Sequence, residues 1–170
     1  MVDAPVLHRL LLALIIMGLG FSIYTAVESS LEAYGSCTVS VTVNCGTVAQ
    51  SSYSHVDGIP VWTVGVGGFV LLLALCIMLM RTYEMRYLQL IVIFSIIGVA
   101  FAAYFIYTET QIGAVCPVCT GAHISGIAVL LVALELWKMR KDDELRKVEE
   151  SKKEKKKRKK SWKERQEEEE

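Results

Sequence analysis

The chain has 170 residues, 53% of them hydrophobic, and 18 cationic side chains balance 18 anionic ones. The mean hydropathy of +0.41 and four apolar runs near the ~20 residues that cross a bilayer exclude an ordinary soluble domain. The zero net charge hides segregation: only Glu28, Glu32, Asp57 and Glu109 fall in the segments that carry or flank the paired cysteines.

The first run, residues 10–27, predicts a membrane-spanning helix behind His8 and Arg9. It exceeds the roughly 7–15 apolar residues of a cleaved signal, and Thr25-Ala26-Val27 departs from an A-x-A exit site, so it reads as retained. Residues 28–58 follow as a loop holding Cys37 and Cys45 in a C-x7-C arrangement. Between them Thr and Ser alternate with Val, which predicts a short hairpin turned near Asn44 and closed by a disulfide. Taken alone, this pair is as readily structural as catalytic. Residues 50–55 predict a short interfacial helix ahead of a Gly58-Ile59-Pro60 turn.

The second run, 59–80, carries Cys76 among leucines, where a thiol serves as a small packing group. Arg81 and Arg86 lead into the third run, 87–107. After a short loop, 108–113, the fourth run spans 114–137 and opens with Cys116-Pro117-Val118-Cys119. Continuous apolar runs without period-two alternation make these helices rather than barrel strands. Pro117 suits the first position of a helix. Cys116 then sits at the cap and Cys119 in the first turn, and the unpaired amides and dipole there favour a thiolate at Cys119. Two thiols at this spacing can cycle between dithiol and disulfide. His123 lies one turn deeper, placed to hydrogen-bond a quinone carbonyl or assist proton transfer, or equally to meet water or backbone as an interfacial histidine. The small residues Gly65, Gly67, Gly68, Gly98, Ala102, Ala103, Gly121 and Gly126 are expected to permit close helix packing.

Residues 139–170 form a separate charged tail, helical or disordered, after a four-span domain at 1–138. Its run Lys155-Lys156-Lys157-Arg158-Lys159-Lys160 precedes four glutamates. Membrane lipid headgroups are the expected contact of the basic part, and no nucleic-acid role is expected, since Trp162 is its only stacking aromatic. Arg9, Arg81, Arg86 and the cations after the fourth run all lie on one side of the spans. The positive-inside rule therefore places both termini in the cytoplasm and both cysteine segments outside, where disulfides persist.

The order of a first span, C-x7-C with Ser51 six residues beyond Cys45, a Gly-Ile-Pro lead-in and a C-x-x-C opening the fourth span resembles the vitamin K epoxide reductase family. The likeness covers residues 8–138 and is greater to prokaryotic-type homologues than to vertebrate members. It implies an all-α membrane protein, a four-helix bundle around a quinone such as ubiquinone or menaquinone. It implies that Cys37 meets a thioredoxin-fold thiol protein, Cys45 exchanges with Cys116, and Cys119 faces the quinone. By position it assigns Ser51 to stabilising the quinone's developing oxyanion, and His123 stands where vertebrate members carry a tyrosine. The implied activity is thiol:quinone oxidoreduction that makes disulfides. Vitamin K epoxide reduction is the nearer alternative, and a non-enzymatic protein with structural disulfides or a four-cysteine metal site the more distant one. The C-x7-C spacing is wide for a metal site, so no metal is expected.

Overall fold

A computed structural model describes residues 4–31, 37, 39–56 and 58–168. The acids Glu32 and Asp57, Thr38 within the C-x7-C segment, and the last two glutamates lie outside the described residues. The chain divides into two units, 1–136 and 137–170.

The first unit is built from α1 (Ala4–Leu31), α2 (Cys45–Ala49), a 3-10 turn (Ser52–Ser54), strands β1 (His55–Val56) and β2 (Ile59–Pro60), α3 (Val61–Thr82), α4 (Met85–Ile112) and the first part of α5 (Pro117–Glu168). Four of these helices are long and apolar enough to cross a membrane, as the four apolar runs predict. Helices α1, α4 and α5 are longer than those runs, while α3 equals its run in length and is shifted by two residues. In α1 and α4 the added turns carry Glu28, Thr108 and Glu109, all buried, so polar residues that hydropathy assigns to loops continue the helices and face inward. The expected interfacial helix at 50–55 is only the 3-10 turn. Behind it β1 and β2 pair antiparallel, His55 with Pro60 and Val56 with Ile59, around Gly58 at φ +80°.

Helix α1 packs on α3, and α3 on α4. The α3–α4 turn is set by Tyr83, whose left-handed backbone lets its N–H donate to the Leu79 carbonyl. Beside it Arg86 pairs with Glu84. Near this turn Leu11 and Ile15 of α1, Cys76 and Leu79 of α3, and Leu88 and Ile91 of α4 are fully buried, as are Val129 and Leu136 of α5. The glycines divide into two kinds. At Gly121 an added Cβ would lie 3.1 Å from the Phe21 ring, and at Gly65 3.2 Å from the Ser22 hydroxyl. These two positions permit close helix approach, as expected. At Gly67, Gly68, Gly98 and Gly126 an added Cβ meets nothing within 4 Å, which corrects the close-packing expectation there.

The second unit is the charged continuation of α5. It is helical as far as Glu168, with exposed i,i+3 and i,i+4 ion pairs Arg146–Asp143 and Arg158–Glu154. Such pairs each stabilise a helix by roughly 0.2–0.5 kcal/mol.

Candidate active site

The loop sulfurs reach the fourth helix through a backbone register. Val39 and Ser40 donate their N–H groups to the Val43 carbonyl (3.0 and 3.2 Å), turning the chain back. Residues 42–44 then run parallel to Val115: its N–H donates to the Thr42 carbonyl at 2.8 Å, and its carbonyl accepts from Asn44 N–H at 3.1 Å. The expected self-paired hairpin is thus replaced by a turn whose strand partner is Val115. Fixing Val43 opposite Val115 brings Cys45 and Cys116, just beyond, side by side. Asn44 completes the placement by capping α2, its Oδ1 accepting Thr47 N–H at 3.1 Å. A carbonyl-type side chain at a helix cap satisfies an otherwise orphaned donor.

Cys37 and Cys45 are joined by a disulfide with their Cα atoms 5.6 Å apart. Cys45 Sγ also lies 3.0 Å from Cys116 Sγ. All three sulfurs are within 4.8 Å of one another and are buried in a cluster with Val48, Val118 and Cys119. Cys116 and Cys119 are free thiols.

Helix α5 starts at Pro117, so Cys116 occupies the cap, as its sequence predicts. Cys119 N–H donates to Cys116 Sγ at 3.3 Å, and Cys116 N–H donates to Glu109 Oε1 at 3.2 Å. A hydrogen bond from the Cys119 thiol, aided by the backbone N–H groups of Cys119 and Val118, holds the Cys116 thiol below its ordinary range despite burial. The first-turn amides therefore address the cap sulfur. The expectation of a thiolate at Cys119 is corrected to Cys116, because the donor groups of a helix start point back at the residue before it.

Below the sulfurs an apolar cavity of about 310 Å³ opens between the helices. Its wall includes Cys45, Cys116 and Cys119, together with Ser51 and His123. It lies at the lower end of the usual range for small-molecule sites, roughly 300–1,000 Å³. The Ser51 hydroxyl donates to the Val48 carbonyl at 2.7 Å and keeps its acceptor capacity. The His123 ring stacks on Phe105 at a centroid distance of 6.3 Å and 10° between planes. Its Nδ1 is buried without a hydrogen-bond partner, and among the described residues only Ser95 Oγ shares that condition. Both residues line this cavity. An orphaned buried polar atom costs about 1–3 kcal/mol, and a carbonyl-bearing aromatic ligand would supply both the acceptor and a ring to stack.

The structure thus brings Cys37, Cys45 and Cys116 into contact and lines one cavity with Cys119, Ser51 and His123. Sequence reasoning missed Glu109 and Phe105. An acid seven residues before Cys116 in an apolar stretch was the available signal for Glu109; nothing in the pattern marks Phe105. A family model described as the vitamin K epoxide reductase family matches residues 9–134. No curated protein matches the chain.

Proposed function

The chain belongs to the vitamin K epoxide reductase family, and we propose that within it this protein is a thiol:quinone oxidoreductase generating disulfides in a partner protein. Membership implies a membrane oxidoreductase of thiols and quinones; the direction, partner and residue roles are our reading. The observation that carries it is Cys45, bonded to Cys37 on one side and 3.0 Å from Cys116 on the other. One sulfur in reach of two partners is what disulfide relay requires, since exchange proceeds by attack of a thiolate on a neighbouring disulfide sulfur.

The relay has three stages. A dithiol protein of the thioredoxin fold reduces Cys37–Cys45 and leaves with its own disulfide. Cys45 thiolate attacks Cys116 in a Cys116–Cys119 disulfide, breaking that bond and releasing Cys119. Cys37 then resolves the Cys45–Cys116 mixed disulfide, which restores Cys37–Cys45 and leaves Cys116 and Cys119 as thiols. The bonding described above corresponds to this last state. Re-formation of Cys116–Cys119 passes two electrons and two protons to a quinone in the cavity, which departs as hydroquinone.

In this scheme Cys119 faces the quinone, His123 Nδ1 binds a quinone carbonyl, Phe105 stacks the ring, and Ser51 steadies developing negative charge. The distribution of Lys and Arg supports a cytoplasmic location for both termini and an external one for the cysteine segments. The test is quinone reduction by the purified protein, followed optically, with a reduced thioredoxin-fold protein as donor. Turnover with ubiquinone or menaquinone supports the reading. No turnover with either quinone and several donors, or stoichiometric zinc on the cysteines, overturns it.

A further inference from the structure

We infer that Val39 and Val41, at the tip of the cysteine loop, form the docking patch for the protein that reduces Cys37–Cys45, a dithiol protein whose reactive cysteine is rimmed by apolar surface. The inference rests on the oxidoreductase reading above and adds where the donor binds. Val39 and Val41 are 81% and 88% exposed, more than any other large hydrophobic side chain among the described residues. On α1, α3, α4 and the membrane part of α5, exposed Leu, Ile and Phe are accounted for by lipid. These two valines lie outside the four candidate spans, in the segment between the first and the second. No ionisable residue lies between Cys37 and Cys45, so the tip offers a partner apolar area and hydrogen bonds but no charge.

Covalent geometry fixes what must cover this tip. The donor thiolate has to attack Cys37, because Cys116 Sγ already stands 3.0 Å from Cys45. Val39 and Val41 are two and four residues from Cys37, at most about 14 Å of chain. A transient interface burying up to roughly 1,200 Å² in total takes about 600 Å² of each partner, a patch about 14 Å in radius. A donor centred on Cys37 therefore covers both valines.

Docking there also answers an obstacle. Cys37 and Cys45 are 4% and 5% exposed, so the disulfide is closed to a protein-sized reagent until the loop moves. Burial of Val39 and Val41 against the donor offsets the cost of lifting Cys37 out of its cluster with Val48 and Val118. The exchange balances. The donor thiolate bonds to Cys37 Sγ and the Cys37–Cys45 bond breaks, leaving its electron pair on Cys45. The donor's second thiolate then takes the donor sulfur from Cys37. The donor leaves as a disulfide, and its two protons pass to Cys37, Cys45 or water.

The experiment compares wild type with the double variant Val39→Ser/Val41→Ser, using a reduced thioredoxin-fold protein and, separately, dithiothreitol as donors to quinone. Removing two central apolar contacts is expected to lower kcat/KM for the protein donor by about tenfold or more. The dithiothreitol rate should stay within about twofold, because a small dithiol does not use the patch. Val39→Ile/Val41→Ile should retain the protein-donor rate. Unchanged kcat/KM for the protein donor, or equal losses with both donors, overturns the inference, the latter making the tip a support of the loop. Thionitrobenzoate release supplies a readout independent of quinone. Cys37 in a Cys45→Ala background is reacted with a thioredoxin-fold protein carrying thionitrobenzoate on its single cysteine. If wild type reduces no quinone, the oxidoreductase reading falls, while slower release with the two serines still supports docking and equal release removes it.

Discussion

At the end of the bundle beside the α3–α4 turn, Leu11, Ile15, Leu79, Leu88 and Ile91 leave no exposed surface. At the other end the same helices separate around the cavity, which Gly68, Gly98 and Gly126 line without crowding. The ends differ in how many buried polar groups they hold: Glu28, Ser95, Thr108, Glu109 and the Nδ1 of His123 surround the hollow end, against His8 beside Tyr83 at the packed end. In a bilayer the helices gain little from burying apolar surface against one another, since lipid is as apolar as leucine. Van der Waals fit then decides which end closes, and the open end is where the sulfurs gather.

The comparison is tested most severely by the cysteines themselves. Cys37→Ala and Cys119→Ala should each lower quinone turnover by about a thousandfold or more, as loss of a group acting in a covalent relay does. Cys76→Ala, at the packed end, should leave turnover unchanged, because that thiol is buried among leucines with no partner for exchange. A turnover assay on the three variants checks this. Comparable losses in all three would erase the distinction between the ends.

Leu79→Ala should act in the opposite sense. Removing a fully buried leucine should cost about 2–5 kcal/mol of stability, seen as a lower thermal midpoint in detergent. Turnover per folded molecule should remain at the wild-type level. A selective loss of turnover with unchanged stability would show that the packed end takes part in chemistry.

Much of this division was already legible in the residues. The four spans follow from run length, and the C-x-x-C with Pro117 marks the start of α5. The ends of α1 and α4 were not legible, because Glu109 reads as a loop acid until Cys116 N–H is seen to donate to it. That contact joins two elements and leaves no periodic trace. The hairpin expectation failed for the same reason. Alternating Thr and Val suits a strand but does not name its partner, and Val115 lies more than seventy residues away. The glycines were ambiguous too, since a small residue permits close approach at Gly121 and leaves space at Gly98. Only the neighbours decide.

His123→Leu should raise KM for quinone about tenfold, the cost of one hydrogen bond to a neutral acceptor in a dry site. Titration of quinone at fixed donor measures it, and an unchanged KM would detach the orphaned Nδ1 from the substrate.

The smallest expected effect concerns Cys116. Hydrogen bonds from the Cys119 thiol and the first-turn amides favour its thiolate, so its ionisation lies below that of an ordinary thiol. Sites of this kind keep reacting as pH falls, because the thiolate fraction is lost only below the lowered pKa. The pH profile of Cys116 alkylation, resolved by mass spectrometry on reduced protein, should therefore extend to lower pH than that of a free thiol. Cys119→Ala removes the largest of these donors and leaves the backbone amides. The profile should then move toward higher pH, because burial opposes the thiolate and only the backbone amides still favour it. A profile unmoved by Cys119→Ala would place the stabilisation in the backbone alone. In that case Cys116 at the cap, rather than the pairing of two thiols, would be what distinguishes the hollow end chemically.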